Sequence, residues 1–279
     1  MSEILSILCQ KTQLQWEHFF KIHDLWRGGD RQLLTTLKDL GLQKQYTPSL
    51  LKECEGLLRK IRSFGGVILH PKHSAFPVGF HNVYRPPVFL HYQGCLSLLQ
   101  QKSLGVVGAR EPLAWVEKWM HCEFLEALKM WRPLVVSGGA RGVDQLSHHL
   151  ALRAQAHSLA ILPSGLGFLY PKTLEVFRRF VEEGSFAFLS EYLPETSIRK
   201  YHFYRRNRLI AGFSKSLFIV QAQKKSGTMI TARAAIEQGK NVLCLVSDPM
   251  EVKMTGNLDL LYDGASMVRW KSDFNSSFF

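Results

Sequence analysis

The sequence predicts an α/β protein: a doubly wound, mostly parallel Rossmann-like sheet preceded by a small helical N-terminal domain. Three observations carry that prediction. From residue 103 onward, short β-branched runs alternate with helix-patterned stretches, the texture of a parallel sheet covered on both faces. Before residue 66, apolar residues recur at helical spacing instead. The chain has 279 residues, 46% of them hydrophobic, which is enough to bury a substantial core and to support more than one domain. The expected division is residues 1–65 as a helical accessory domain and 66–279 as the Rossmann-like domain with its N-terminal extension.

In chain order, WEHFFKIHDLW and RQLLTTLKDLGL suggest two short helices, the second ending at Gly41. In TPSLLKECEGLLRKIRSFGG, Leu50, Leu51, Cys54, Leu57, Leu58 and Ile61 share one helical face. Thr47 is placed to cap that helix, Pro48 suits its first position, and Gly65–Gly66 end it. The stretch HPKHSAFPVGFHNVYRPP is loop or extended chain, followed by a strand candidate, VFLHY. Six buried strands are then expected: LGVV (104–107), LVVS (134–137), LAIL (159–162), FAFLS (186–190), LFIV (217–220) and NVLCLV (241–246). Between them lie helical patterns such as LAWVEKWMHCEFLEALKM (113–130), LEVFRRFVEEG (174–184) and ITARAAIEQG (230–239). The sequence shows neither an internal repeat nor a low-complexity segment.

The formal charge is +12, and its distribution says more than its size. Residues 195–235 carry 9 Lys and Arg against a single acid, Glu195. A focused basic patch suits a polyanionic partner, or else a solvated face that aids solubility. The first 24 residues lack the basic start and long apolar run of a signal peptide, and no window is apolar enough to span a membrane. Five scattered cysteines without a CxxC pair read as reduced thiols of a cytoplasmic protein rather than disulfides or a zinc site.

In a doubly wound sheet, ligands bind beyond the carboxyl ends of the strands. The segments there are GAREP (108–112), SGGARGVD (137–144), PSGLGFLYP (163–171) and QAQKKSGTMITA (221–232). Small residues let the backbone approach a ligand, and the N–H groups of the next helix favour an anion. Arg110 in the first turn and Lys224 and Lys225 in the last add cations, so Ser137, Gly138, Ser226, Gly227 and Thr228 join them as candidate phosphate contacts. Visible chemistry is lacking. No GxGxxG follows the first strand and no GxxxxGK[ST] occurs, which disfavours a dinucleotide dehydrogenase and a P-loop NTPase. His148 and His149 read as one packed and one exposed histidine, and Asp144 as a structural hydrogen-bond acceptor. Ser137 and Ser226 lack a His/acid partnership. No metal or cofactor is expected.

One further segment stands out. RKYHFYRRNR (199–208) interleaves five basic side chains with aromatic rings. Cations beside aromatic rings in one short segment, Lys200 and Phe203 among them, suit the polyanionic partner that the charge distribution implies. Arg205 and Arg208 either contact that partner or pair with acids of the fold.

The ordered motifs GVVGAR, VVSGGARGVDQLSHHLAL, LAILPSGLGFLYP, LSEYLP, KYHFYRRNRLIAGFS, SGTMITARAAIEQGKNV and GNLDLLYDGA resemble the DNA-processing protein A family, also called Smf, across residues 104–268. The likeness extends more weakly to FPVGF and RPPVFLHYQG. The resemblance implies a non-catalytic protein that binds single-stranded DNA in a basic pocket and protects incoming strands during natural transformation. It also implies loading of the RecA recombinase and action as a homodimer. By motif, the DNA-binding arginine corresponds to Arg110, the pocket lysine to Lys200 and the base-stacking aromatic to Phe203. The N-terminal helices resemble the family's small accessory domain.

Tyr204 stands where the family often has proline, Gln221 replaces a common glutamate, and LVSDP replaces a usual Pro-Gly. The chain ends soon after DGASMVRW, so the short form without a C-terminal winged-helix-like domain is expected. Two other readings compete with a DNA-binding mediator. SGTMITA superficially resembles the loop of phosphoribohydrolases, but Ile230 and Thr231 stand near the place where that chemistry needs a carboxylate. The basic patch could also serve an interaction scaffold with an acidic protein partner. Leu258, Leu260 and Leu261 are candidates for a dimer seam or for core.

Overall fold

A computed structural model describes residues 1–26, 30–43 and 46–278. Four helices come first: α1 (Ser2–Thr12), α2 (Trp16–Leu25), α3 (Asp30–Asp39) and α4 (Pro48–Ser63). As the sequence predicts, Thr47 caps α4, its hydroxyl accepting from the Leu50 N–H at 3.3 Å. The apolar faces of these helices meet in one cluster built on Leu5, Leu8, Phe19, Ile22, Leu37, Cys54 and Ile61. That cluster continues into Ile68, Val88 and Phe89, so the helices pack directly on the first edge of the sheet. α1, not read from the sequence, contributes Leu5, Ile7, Leu8 and Cys9.

Among the described residues the sheet has nine strands: β1 (Val67–Leu69), β2 (Leu90–Gln93), β3 (Ser103–Val107), β4 (Leu134–Ser137), β5 (Ser158–Leu162), β6 (Phe186–Ser190), β7 (Ser216–Ile219), β8 (Asn241–Leu245) and β9 (Ser266–Val268). Their spatial order is β1-β2-β6-β5-β4-β3-β7-β8-β9. The run from β6 to β9 is parallel throughout, while β1 and β2 add an antiparallel ribbon at the β6 edge. The six β-branched runs all become strands, within a residue at each end.

Alternation along each strand sorts side chains between two layers. In β7, Leu217 and Ile219 face one side while Phe218 faces the other. The layer over Phe218 is formed by α5 (Ala114–Trp119), which runs through a π turn at 120–124 into α6 (Leu125–Trp131), and by α7 (Val143–Arg153). α8 (Arg178–Glu182) flanks β6. The opposite layer holds α9 (Lys200–Phe213), α10 (Gly227–Glu237) and α11 (Thr255–Tyr262), through Leu209, Ile210, Met229, Ala232 and Leu260. Leu260 is therefore a core residue. None of the described helices is long and apolar enough to cross a membrane.

From β3, the chain steps outward to β4, β5 and β6, then returns across the sheet to lay β7 on the other side of β3. The switch in direction opens a crevice at the carboxyl ends of β3 and β7. Asn257 holds its floor. Buried completely, it donates from Nδ2 to the carbonyls of Ile219, Val220 and Leu245 and accepts from the Ala222 N–H at 2.7 Å.

Candidate nucleic-acid interface

Two depressions lie side by side on this rim, with volumes of about 330 and 270 Å³. They share Arg110, Ala140 and Phe203. The first is completed by Gly138, Arg141, Pro163 and Tyr170; the second by Asp144, Asn207, Ser226, Gly227 and Thr228. Arg110 leaves the turn after β3, and Phe203 stands on the first turn of α9. The fold brings them together, with the guanidinium carbon 5.7 Å from the ring centroid. Tyr170 meets the same ring edge-on at 6.4 Å between centroids. A cation and two aromatic rings thus converge where the crevice opens, a chemistry able to stack a planar ring and neutralise an anion.

Buried polar groups hold this rim from beneath. The Asp144 carboxylate accepts from the backbone N–H groups of Gly138 at 3.2 Å and Ala140 at 3.3 Å, fixing the turn after β4. Burial pushes its pKa up, opposed by the nearby Arg206 charge and those N–H bonds. Burial likewise lowers Arg206 to about 10, with Asp144 opposing the shift. Arg206 donates to the Ile161 carbonyl at 2.8 Å and to Asn207 Oδ1 at 3.1 Å. Its guanidinium lies so close over Gly138 that a Cβ there would stand 1.8 Å from Nη1. Gly138 is required by this contact inside the protein. Gly227 differs, since a Cβ there would meet open space at the N-terminus of α10.

The remaining predicted residues separate by environment. Lys200 is exposed at the first residue of α9, outside both depressions. The Ser137 hydroxyl is fully buried and donates to the Val106 carbonyl at 2.6 Å, tying β4 to β3. Thr228 donates to the Gly108 carbonyl at 3.1 Å, joining the two sides of the crevice. Lys224 reaches away to Asp259, 3.0 Å distant on α11. Arg208 is buried and donates to Glu191 Oε1 at 2.5 Å, while Arg205 reaches the same oxygen at 3.2 Å and stays partly exposed. Gln221 accepts from the Leu113 N–H at 2.9 Å, so the residue that departs from the family pattern anchors the start of α5. His148 is buried with Nδ1 2.7 Å from Ser158 Oγ, and His149 is exposed, as their spacing predicts.

Tyr170, Arg141 and Arg206 belong to the rim although the sequence does not single them out. The Tyr-Pro pair at 170–171 was the signal for the first. Arg206 is hidden among its neighbours in RRNR, because alternate positions on one helical turn face solvent, cleft and core.

Comparison with known proteins agrees with this architecture. The family described as DNA recombination-mediator protein A matches residues 67–278. The chain is 31% identical over 201 residues to the DNA processing protein DprA of Bacillus subtilis, covering 71% of this chain and 66% of that protein. It is 36% identical over 183 residues to protein Smf of Escherichia coli, covering 65% of this chain but only 48% of the relative. The X-ray structure of DprA from Streptococcus pneumoniae superposes with a TM-score of 0.76 at 24% identity, over 97% of this chain and 96% of that one. DNA processing protein A from Helicobacter pylori, described for its single-stranded DNA binding mode, gives a TM-score of 0.66 at 28% identity over 75% of this chain and 93% of that one. With its fold, its ordered rim motifs and a match over residues 67–278, the chain belongs to the DNA recombination-mediator protein A family.

Proposed function

We propose that this chain binds single-stranded DNA along the carboxyl rim of its sheet, protects incoming strands and helps load a RecA recombinase onto them during natural transformation. In this reading it works in the cytoplasm, as a homodimer, without catalysing a reaction. The observation that carries the reading is the Arg110–Phe203 pair set between two depressions at the topological switch point. A stacked base on Phe203 and Tyr170 places its phosphate within reach of Arg110, and the exposed Lys200 adds charge on the same helix. A dimer is supported by the exposed apolar residues Met250, Val252, Tyr262, Met267 and Trp270 around the open edge at β9. Residues 1–65 serve as an accessory unit.

The test is fluorescence anisotropy of a labelled oligothymidine and a matching duplex across a range of salt. The expected result is preference for the single strand, a steep salt dependence, and loss of binding in Lys200→Glu and Arg110→Glu variants that remain folded. Equal affinity for duplex and single strand, indifferent to both substitutions, would reduce the patch to a generic basic surface.

A further inference from the structure

A cavity of about 710 Å³ lies away from the rim, between the N-terminal helices and the segment that follows β6. The loop between α1 and α2 forms one wall, with Gln13, Gln15 and Trp16. Arg85 comes from the loop before β2, and Tyr192, Tyr201 and Arg205 form the floor. Two polar groups here are more than nine-tenths buried and have no hydrogen-bond partner among the described residues: the second carboxylate oxygen of Glu191 and the Tyr192 hydroxyl. Tyr192 stacks on His202 at 4.1 Å between centroids, and the half-exposed Tyr201 stands edge-on to His202 at 4.4 Å. Arg85 is exposed, held by its cation–π contact with Tyr84 at 5.4 Å.

The two cavities share a wall. Phe203 lines the rim depressions, while Tyr201 and Arg205, one turn apart on the same helix, line the cleft. Between these faces stand Lys200 and Tyr204, both exposed. The N-terminal turn of α9 is therefore a ridge with stacking aromatics and cations on both slopes and on its crest.

We propose that a DNA strand held at the rim crosses this ridge and that its adjoining nucleotides occupy the cleft between the helical segment and the sheet. There, Tyr201 stacks on a base and Arg85 takes a backbone phosphate. The unpartnered Glu191 oxygen and Tyr192 hydroxyl offer acceptors to the exocyclic amino group of a base, which thymine lacks. The cleft rests on the rim reading, since without a strand at the rim nothing leads into it.

The experiment measures affinity for single-stranded oligonucleotides of increasing length, in the full chain and in Tyr201→Ala and Arg85→Gln variants whose folding is checked by thermal melting. The proposal expects wild-type affinity to rise with length in two stages. The variants should match wild type on the shortest oligonucleotides that bind and fall roughly tenfold or more behind on longer ones. Arg85→Gln should also lower the slope of log affinity against log salt by about 0.7 on long strands alone. Strands carrying 5-iodouracil should photocross-link to Tyr201 or Trp16 as well as to Phe203 or Tyr170. If wild type binds, and Arg110→Glu abolishes binding, but the cleft variants equal wild type at every length and cross-links stop at the rim, the cleft proposal fails while the rim reading stands. If wild type binds no single-stranded DNA, both fail.

Discussion

The Arg110 guanidinium carbon lies 5.7 Å from the centroid of the Phe203 ring, joining the turn after β3 to the first turn of α9. The contact orients a long side chain that would otherwise sample solvent. The expected consequence is coupling. Phe203→Ala should weaken binding of an oligothymidine by about 1–3 kcal/mol, the usual loss for a base-stacking ring. Arg110→Ala should cost less in the Phe203→Ala background than in wild type, because the ring that orients it is already gone. A double-mutant cycle reads this directly, and strictly additive losses would show that the two side chains act independently.

Gly138 has no room for a side chain because Arg206 lies over it. Gly138→Ala places a methyl group on a buried guanidinium whose bonds to Ile161 and Asn207 fix it. Overpacking of this kind costs about 1–3 kcal/mol. The expected readout is a lower urea midpoint with an unchanged slope. Unaltered stability would mean that Arg206 has a second place to go.

Glu191 and Arg208 form a buried ion pair, at 4% and 9% side-chain exposure. Removing one partner strands the other, so Glu191→Ala should destabilise the protein by about 3–5 kcal/mol. Lys60 and Glu195 form an exposed pair, with Glu195 72% exposed, and Glu195→Ala should leave the stability almost unchanged. Thermal melts of the two variants separate these cases. Similar losses would show that the burial of Glu191 carries no special weight.

Three histidines are held neutral by burial: His70 and His91, each lowered to about 4, and His148, lowered to about 3. The unfolded chain protonates them near 6.5. Below that pH the unfolded state therefore binds more protons than the folded state, and stability falls as pH drops from about 6.5 toward 4. Each histidine adds up to about 1.4 kcal/mol per pH unit to that slope. Urea titrations at several pH values check it, and His91→Leu should flatten the slope. A profile level between pH 6.5 and 4 would contradict the burial of these rings.

Much of the fold could be read from the chain because its sheet is buried on both faces. Such strands must be continuous apolar runs, and all six runs became strands. β1 and β9 escaped because three residues at a sheet edge carry too little pattern. α1 escaped because SEILSILCQKT is short and apolar on more than one side, with Leu5 to Cys9 all buried. At the site, the residue types were legible and their directions were not. Phe203, Arg205, Arg206 and Arg208 look alike in sequence as parts of one basic aromatic run. Only the 100° turn per residue, and acids far away in the chain such as Glu191 and Asp144, decide which faces solvent, which a cleft and which the core.

The sheet ends differently on its two sides. β1 is packed beneath α1 and α4, whereas β9 is the last strand in the order among the described residues, and the molecule has exposed apolar side chains at Met267 and Trp270 there. A contact made through the β9 border alone would have to be self-matching, the same border meeting its own copy. The N-terminal helices thus cover the β1 end of the sheet and leave the β9 end as the place where another strand could be laid.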